Sequence, residues 1–209
     1  MLEDLPYLSF FPFFTISLEC SYLPSVKKWS KEHLIPSTSS YLEEKPFADL
    51  LFGWRENALF FRLDAEKPFE YVETSDYQKG DALEIFINTR DLAGKRFSSF
   101  CHQFIFFPEK VGGHLGKEIT PFRSAETHPL ADPRALGVES TLATSSYSLQ
   151  IEIPSLCLYG FDPNRFDHFG FAYRIHRPSG VSQNSCLSPF EFSLEQQPSF
   201  WSRVQMIKK

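Results

Sequence analysis

Apolar and polar residues alternate with a period of two through most of this chain, which is the pattern of half-buried β-strands. The clearest case is residues 80–91, Gly-Asp-Ala-Leu-Glu-Ile-Phe-Ile-Asn-Thr-Arg-Asp. After the turn pair Gly80-Asp81, residues Leu83, Ile85 and Ile87 fall on one side of an extended strand, with Glu84, Phe86 and Asn88 on the other. The same reading predicts a strand over 7–20 (Phe10, Phe11, Phe13, Phe14, Ile16 and Leu18), and a hairpin with strands 48–54 and 58–64 around a turn at 55–57. Further strands follow at 100–108, 136–144, 147–153, 169–177 and 200–207. In 100–108 both sides are largely apolar, so both are expected to be covered. Only 24–34, with Val26, Trp29 and His33 near one face, reads as a short helix. Residues 66–79, 92–99, 109–134 and 178–198 read as loops, and 160–166 as a turn-rich corner.

Roughly nine or ten short strands without a linker between them predict an all-β fold. It is an antiparallel two-sheet β-sandwich of the jelly-roll kind, with residues 1–209 forming one domain. Composition agrees. The chain holds 23 Phe, 8 Tyr and 3 Trp, residues that favour pleated, interleaved packing, and its 15 Pro and 10 Gly supply the turns. A net charge of -5 argues against a nucleic acid or an anionic membrane surface as the main partner. No apolar run reaches the ~18 residues of a membrane span. The apolar N-terminus has Glu3 and Asp4 where a secretion signal is basic, and prolines within the run. The expected location is therefore cytoplasmic, or exported without a recognisable signal. Cys20, Cys101, Cys157 and Cys186 are far apart with no Cys-x-x-Cys, which argues against structural zinc; two disulfides are formally possible, but without a secretion signal reduced thiols are expected.

Candidate chemistry is sparse. The Glu84-Phe86-Asn88 face is either solvated or lines a polar, aromatic groove. Cys101 and His102 are strand neighbours and point to opposite faces, so they do not form a nucleophile–base pair. Asp162, Asp167 and His168 form an acidic corner, open to reading as a calcium site or as a plain Asx turn; calcium lacks further support. The six His show no zinc spacing. Arg174 and His176 share a strand face, with Arg177 opposite; they read as a solvated cationic patch or a contact for an acidic partner. With no phosphate loop, nucleophile elbow or paired catalytic carboxylates, the chain is not expected to be an enzyme and no cofactor is expected.

From about residue 14 to the C-terminus the ordered set of motifs resembles carbohydrate-binding module family nine and its DOMON-like relatives. The pieces are Gly53-Trp54-Arg55-Glu56-Asn57-Ala58-Leu59-Phe60, the strand Gly80–Asn88, and His102-Gln103-Phe104. Weaker echoes are Trp29, 147–154, His168-Phe169-Gly170-Phe171 and the closing Phe200-Trp201. The resemblance implies a noncatalytic module that grips a terminal sugar between aromatics and bonds its hydroxyls. Carried over residue by residue, it names Tyr77, Glu84 and Gln103 as ligand-binding residues, with Phe190 or Phe192 near the second aromatic position. This chain departs from the family in having Tyr77 for a Trp, and Ile105 where an Arg follows the Gln. It has no Trp in the late loop. The alternative is a protein-interaction or scaffold domain on the same sandwich, its sugar site lost. On the saccharide reading, Glu84→Gln weakens the ligand at nearly unchanged melting.

Overall fold

The computed structural model describes residues 16–39, 45–91, 97–122, 126–185 and 194–208. Eleven strands are found among them: β1 Ser17–Ser21, β2 Ala48–Arg55, β3 Ala58–Ala65, β4 Ala82–Asn88, β5 Cys101–Val111, β6 His114–Glu118, β7 Gly137–Leu142, β8 Tyr147–Pro154, β9 His168–His176, β10 Ser182–Asn184 and β11 Ser202–Ile207. They form two sheets. The larger runs β1-β11-β9-β4-β5-β6, with β10 beside β11 on the same edge of β9, and the smaller runs β2-β3-β8-β7. All pairs are antiparallel except β1 with β11, which run parallel. The all-β sandwich expected from the alternation is thus the fold observed.

Alternation decides which side chains meet between the sheets. Leu83, Ile85 and Ile87 of β4 face inward with Phe104 and Phe106 of β5 and Phe169, Phe171, Tyr173 and Ile175 of β9. From the smaller sheet come Phe52, Phe61, Leu63, Leu149, Ile151 and Ile153. The Phe61 and Phe171 rings stack across the layers at 5.7 Å between centroids. Such a pair contributes about 0.5–1.5 kcal/mol beyond its buried area. On the outer face of the larger sheet two smaller apolar clusters form. Phe86, Cys101 and Ala172 pack under Leu194 and Trp201, while Ala82, Ile105 and Phe107 pack with Val72, Tyr77, Val111 and Ile119. The central strands β4, β5 and β9 are therefore covered on both faces, as the apolar pattern of 100–108 implied.

Three elements differ from expectation. Residues 24–34 hold only the single 3-10 turn Lys31–His33, because so short a segment cannot repay helix nucleation. The start of the 109–134 loop is instead a hairpin. β5 runs on to Val111 and turns through Gly112 and Gly113, at φ 60° and 90°, into β6. Within 178–198, Ser182–Asn184 adds a short strand to β9. Of the strand predicted over 7–20, β1 is its C-terminal part; Phe10, Phe11, Phe13 and Phe14 lie outside the described residues. Among the described residues no helix is long and apolar enough to cross a membrane.

Candidate functional site: a groove over a buried carboxylate

Register explains how the polar residues of three strands converge. In the larger sheet Glu84 lies opposite Arg174 on β9 and opposite Ile105 on β5. Its diagonal neighbours on the same face are His176 on one side and Gln103 on the other, within reach of long side chains. All four polar groups point away from the sandwich core. Glu84 Oε1 accepts from Gln103 Nε2 at 2.8 Å. Glu84 Oε2 lies 2.6 Å from His176 Nε2 and accepts from Arg174 Nη1 at 3.3 Å. Arg174 Nη1 also donates to Glu195 Oε1 at 2.9 Å, and Arg174 Nε to Asn184 Oδ1 at 3.2 Å.

Tyr77 closes one end. It sits in the 3-10 turn Tyr77–Lys79 just before β4, near Glu84 and His176. Burial, followed by the negative charge of the nearby Glu84, pushes the phenol well above its ordinary pKa, so it stays protonated. Its ring meets His176 edge-on at 6.0 Å.

Tyr77, Glu84 and Gln103 are therefore brought together, but not as equals. Glu84 is fully buried. The face that holds it is neither solvated nor an open groove floor, since Gln103, Arg174, His176 and Tyr77 surround the carboxylate. Above them lies a groove of about 340 Å3 lined by Thr74, Tyr77, Gln103, Lys117, Glu195 and the apolar side chains Phe107, Val111, Ile119 and Pro121. Phe190 and Phe192 lie outside the described residues.

Arg174 and His176 are the residues that the sequence reading kept apart from the site. Arg174 is a buried ion-pair partner of Glu84 and His176 its buried hydrogen-bonding neighbour, so they are not a solvated patch. Shared parity on one strand was legible, but pairing of β4 with β9 was not. The structure also changes the meaning of Ile105: a cation does face Glu84, supplied by β9 on the opposite flank. Arg177, on the other face, bonds Glu70 at 2.5 Å and the Pro68 carbonyl at 3.2 Å.

The remaining candidates separate. Cys101 is buried under Trp201, and burial pushes its thiol up to about 11, while His102 points to the other face. Asp162 Oδ1 accepts from the Asn164 amide at 3.2 Å, an Asx turn, and Asp167 Oδ1 lies 2.9 Å from His168 Nδ1.

The two-layer β-sandwich thus carries a polar groove on the outer face of its larger sheet. No protein-family profile and no curated protein matches the chain. Solved structures do share its fold. A carbohydrate-binding module of family 9 from Caldicellulosiruptor kristjanssonii, in complex with cellotriose, superposes with a TM-score of 0.63 at 13% identity, covering 92% of this chain and 94% of that one. The same organism's module in complex with glucose gives 0.64 at 13% identity, over 92% and 96%. A candidate carbohydrate-binding protein from Bacteroides uniformis gives 0.57 at 11%, over 93% and 100%. The chain has the family 9 carbohydrate-binding-module fold.

Proposed function

We propose that this protein is a noncatalytic binding module that takes one end of a saccharide in the groove over Glu84. The observation that carries the reading is the convergence of an aromatic, an amide and charged side chains from separate segments around one depression. A pyranose presents C–H faces and a hydroxyl rim. The faces suit the Tyr77 ring and the apolar wall of Phe107, Val111, Ile119 and Pro121. The rim needs paired donors and acceptors once water leaves, and Gln103, Thr74, Lys117 and Glu195 supply both kinds. Glu84 acts beneath the ligand, fixing the orientation of Gln103 and Arg174. A volume of about 340 Å3 falls near the lower end of the ~300–1,000 Å3 range of small-molecule sites, which suits a short saccharide or a chain terminus. Structures with this fold hold glucose and cellotriose.

A second reading is favoured by one fact: Glu84 and Gln103 are both buried. On that reading the site is closed and the sandwich serves protein interaction. A thermal-shift screen with mono- and oligosaccharides separates the two. Ligand at ~100 times Kd adds about 2.7 kcal/mol of stability. Under the saccharide reading, Tyr77→Ala and Gln103→Ala each weaken the sugar found by tenfold or more. No shift with any sugar in a folded sample favours the interaction domain.

A further inference from the structure

A second polar cluster lies at the far side of the same sheet, where β5 and β6 meet the segments on either side of β7 and β8. His102 is the second residue of β5, Glu118 is the last of β6, and His128 comes from the chain that follows. All three are buried. His102 Nδ1 and His128 Nε2 each lie 2.8 Å from the same oxygen, Glu118 Oε1. The three atoms all fall within 4.8 Å of one another.

The far side of each imidazole is what gives the cluster meaning. His128 Nδ1 is 2.7 Å from the Ser99 carbonyl oxygen, which only accepts. Nδ1 therefore donates to that carbonyl, and Nε2 is the atom turned toward Glu118. His102 Nε2 faces the Tyr159 carbonyl in the same way, at a longer 3.4 Å. A backbone carbonyl on the outer nitrogen is how proteins orient metal-ligating histidines. Meanwhile Glu118 Oε1 also receives the Thr120 hydroxyl at 2.6 Å, so three partners crowd one oxygen, while Oε2 takes the Ala131 amide at 2.7 Å. Two imidazole nitrogens and a carboxylate oxygen thus converge on one buried point, each imidazole held from behind by a backbone carbonyl.

We propose that His102 Nδ1, His128 Nε2 and Glu118 Oε1 bind a divalent transition-metal ion of the zinc class. Two imidazoles and a carboxylate match the borderline preference of zinc and do not suit calcium, which takes oxygen ligands. Ligand atoms about 2.0–2.1 Å from a tetrahedral ion stand roughly 3.3 Å apart, so binding opens each 2.8 Å contact by about half an ångström. The ion ties the chain after β6 to β5. That chain includes Ile119 and Pro121 of the groove wall, so the metal holds one side of the groove in place. The sequence reading of no zinc site rested on local spacing; these ligands are 16 and 10 residues apart and come from three segments.

The test uses the full chain. Metal analysis of protein purified without chelator should find about one equivalent of zinc-class metal. After chelator treatment, zinc chloride should raise the melting temperature and cobalt(II) should give the visible d–d absorption of a tetrahedral site. The variant His128→Gln, which keeps a polar side chain, should lose the metal equivalent and the cobalt spectrum. Glu118→Gln should do the same, with retained circular dichroism showing that either variant is folded. The assignment is overturned if the chain carries no metal, zinc leaves melting unchanged, and imidazole nitrogen NMR shows His128 protonated on both nitrogens at neutral pH. It is equally overturned if His128→Gln, folded, keeps the metal equivalent.

Discussion

Oε2 of Glu84 and Nε2 of His176 lie 2.6 Å apart on neighbouring strands, beneath the groove and out of contact with solvent. This contact, with Arg174 on the same oxygen, makes Glu84 part of the sheet's internal structure. The sequence reading expected Glu84→Gln to leave melting almost unchanged. Burial reverses that expectation. Gln removes one of the two carboxylates that Arg174 faces, leaving Glu195, and sets an amide among donors where the buried carboxylate had accepted; a buried polar group left unpaired in this way costs about 1–3 kcal/mol. Chemical denaturation of the variant should show that loss. An unchanged midpoint would mean that water reaches the carboxylate.

Asp81 gives a pH dependence of known sign. It is buried at the start of β4; its Oδ2 accepts from the Glu70 amide at 2.8 Å, Arg177 lies 3.7 Å from Oδ1, and the buried Tyr147 is a further neighbour. Burial raises its pKa, with the Glu70 amide and Arg177 offsetting part of the rise. A carboxyl with a raised folded-state value stabilises the fold fully below its unfolded value of about 3.9. That contribution is lost as pH climbs through the folded value. Asp81→Asn, which cannot ionise, should therefore gain on the wild type as pH rises from acid to neutral. Urea midpoints at a series of pH values check this, and parallel curves would refute it.

Cys20, Cys101 and Cys157 are buried free thiols. Burial raises all three; Cys20 goes well above its ordinary value and Cys101 to about 11. Because the thiolate is the reactive form, these three should be inert to Ellman's reagent in the native protein and react once it is unfolded. Native labelling followed by peptide mapping reads this directly, and rapid modification of Cys101 in the folded state would contradict its place under Trp201.

Gly116 on β6 pairs with Phe106 on β5, and a methyl group added there overlaps the Phe106 ring. The ring belongs to the main core and has no room to retreat. Gly116→Ala should cost about 1–3 kcal/mol by overpacking. A thermal melt showing no loss would mean that β6 shifts freely against β5.

The alternation of residues along the chain determined the strands and their two faces. Leu83, Ile85 and Ile87 inward, and Phe104 and Phe106 against Ile105 and Phe107, follow from a period of two that each segment carries locally. That is why the sandwich, and the resemblance built on ordered strand motifs, were readable in advance. The β5–β6 hairpin was missed because two consecutive glycines were read as loop and not as a left-handed turn. What only the tertiary structure decided is the environment of each outward-facing polar group. Strand pairing is non-local, so nothing within residues 80–91 says that Arg174 will lie beside Glu84, or within 100–108 that His128 will meet His102. Whether a carboxylate ends in water, under a ligand or in a buried ionic knot depends on which strand lies alongside and which segment covers it, and that is settled only when distant parts of the chain pack together.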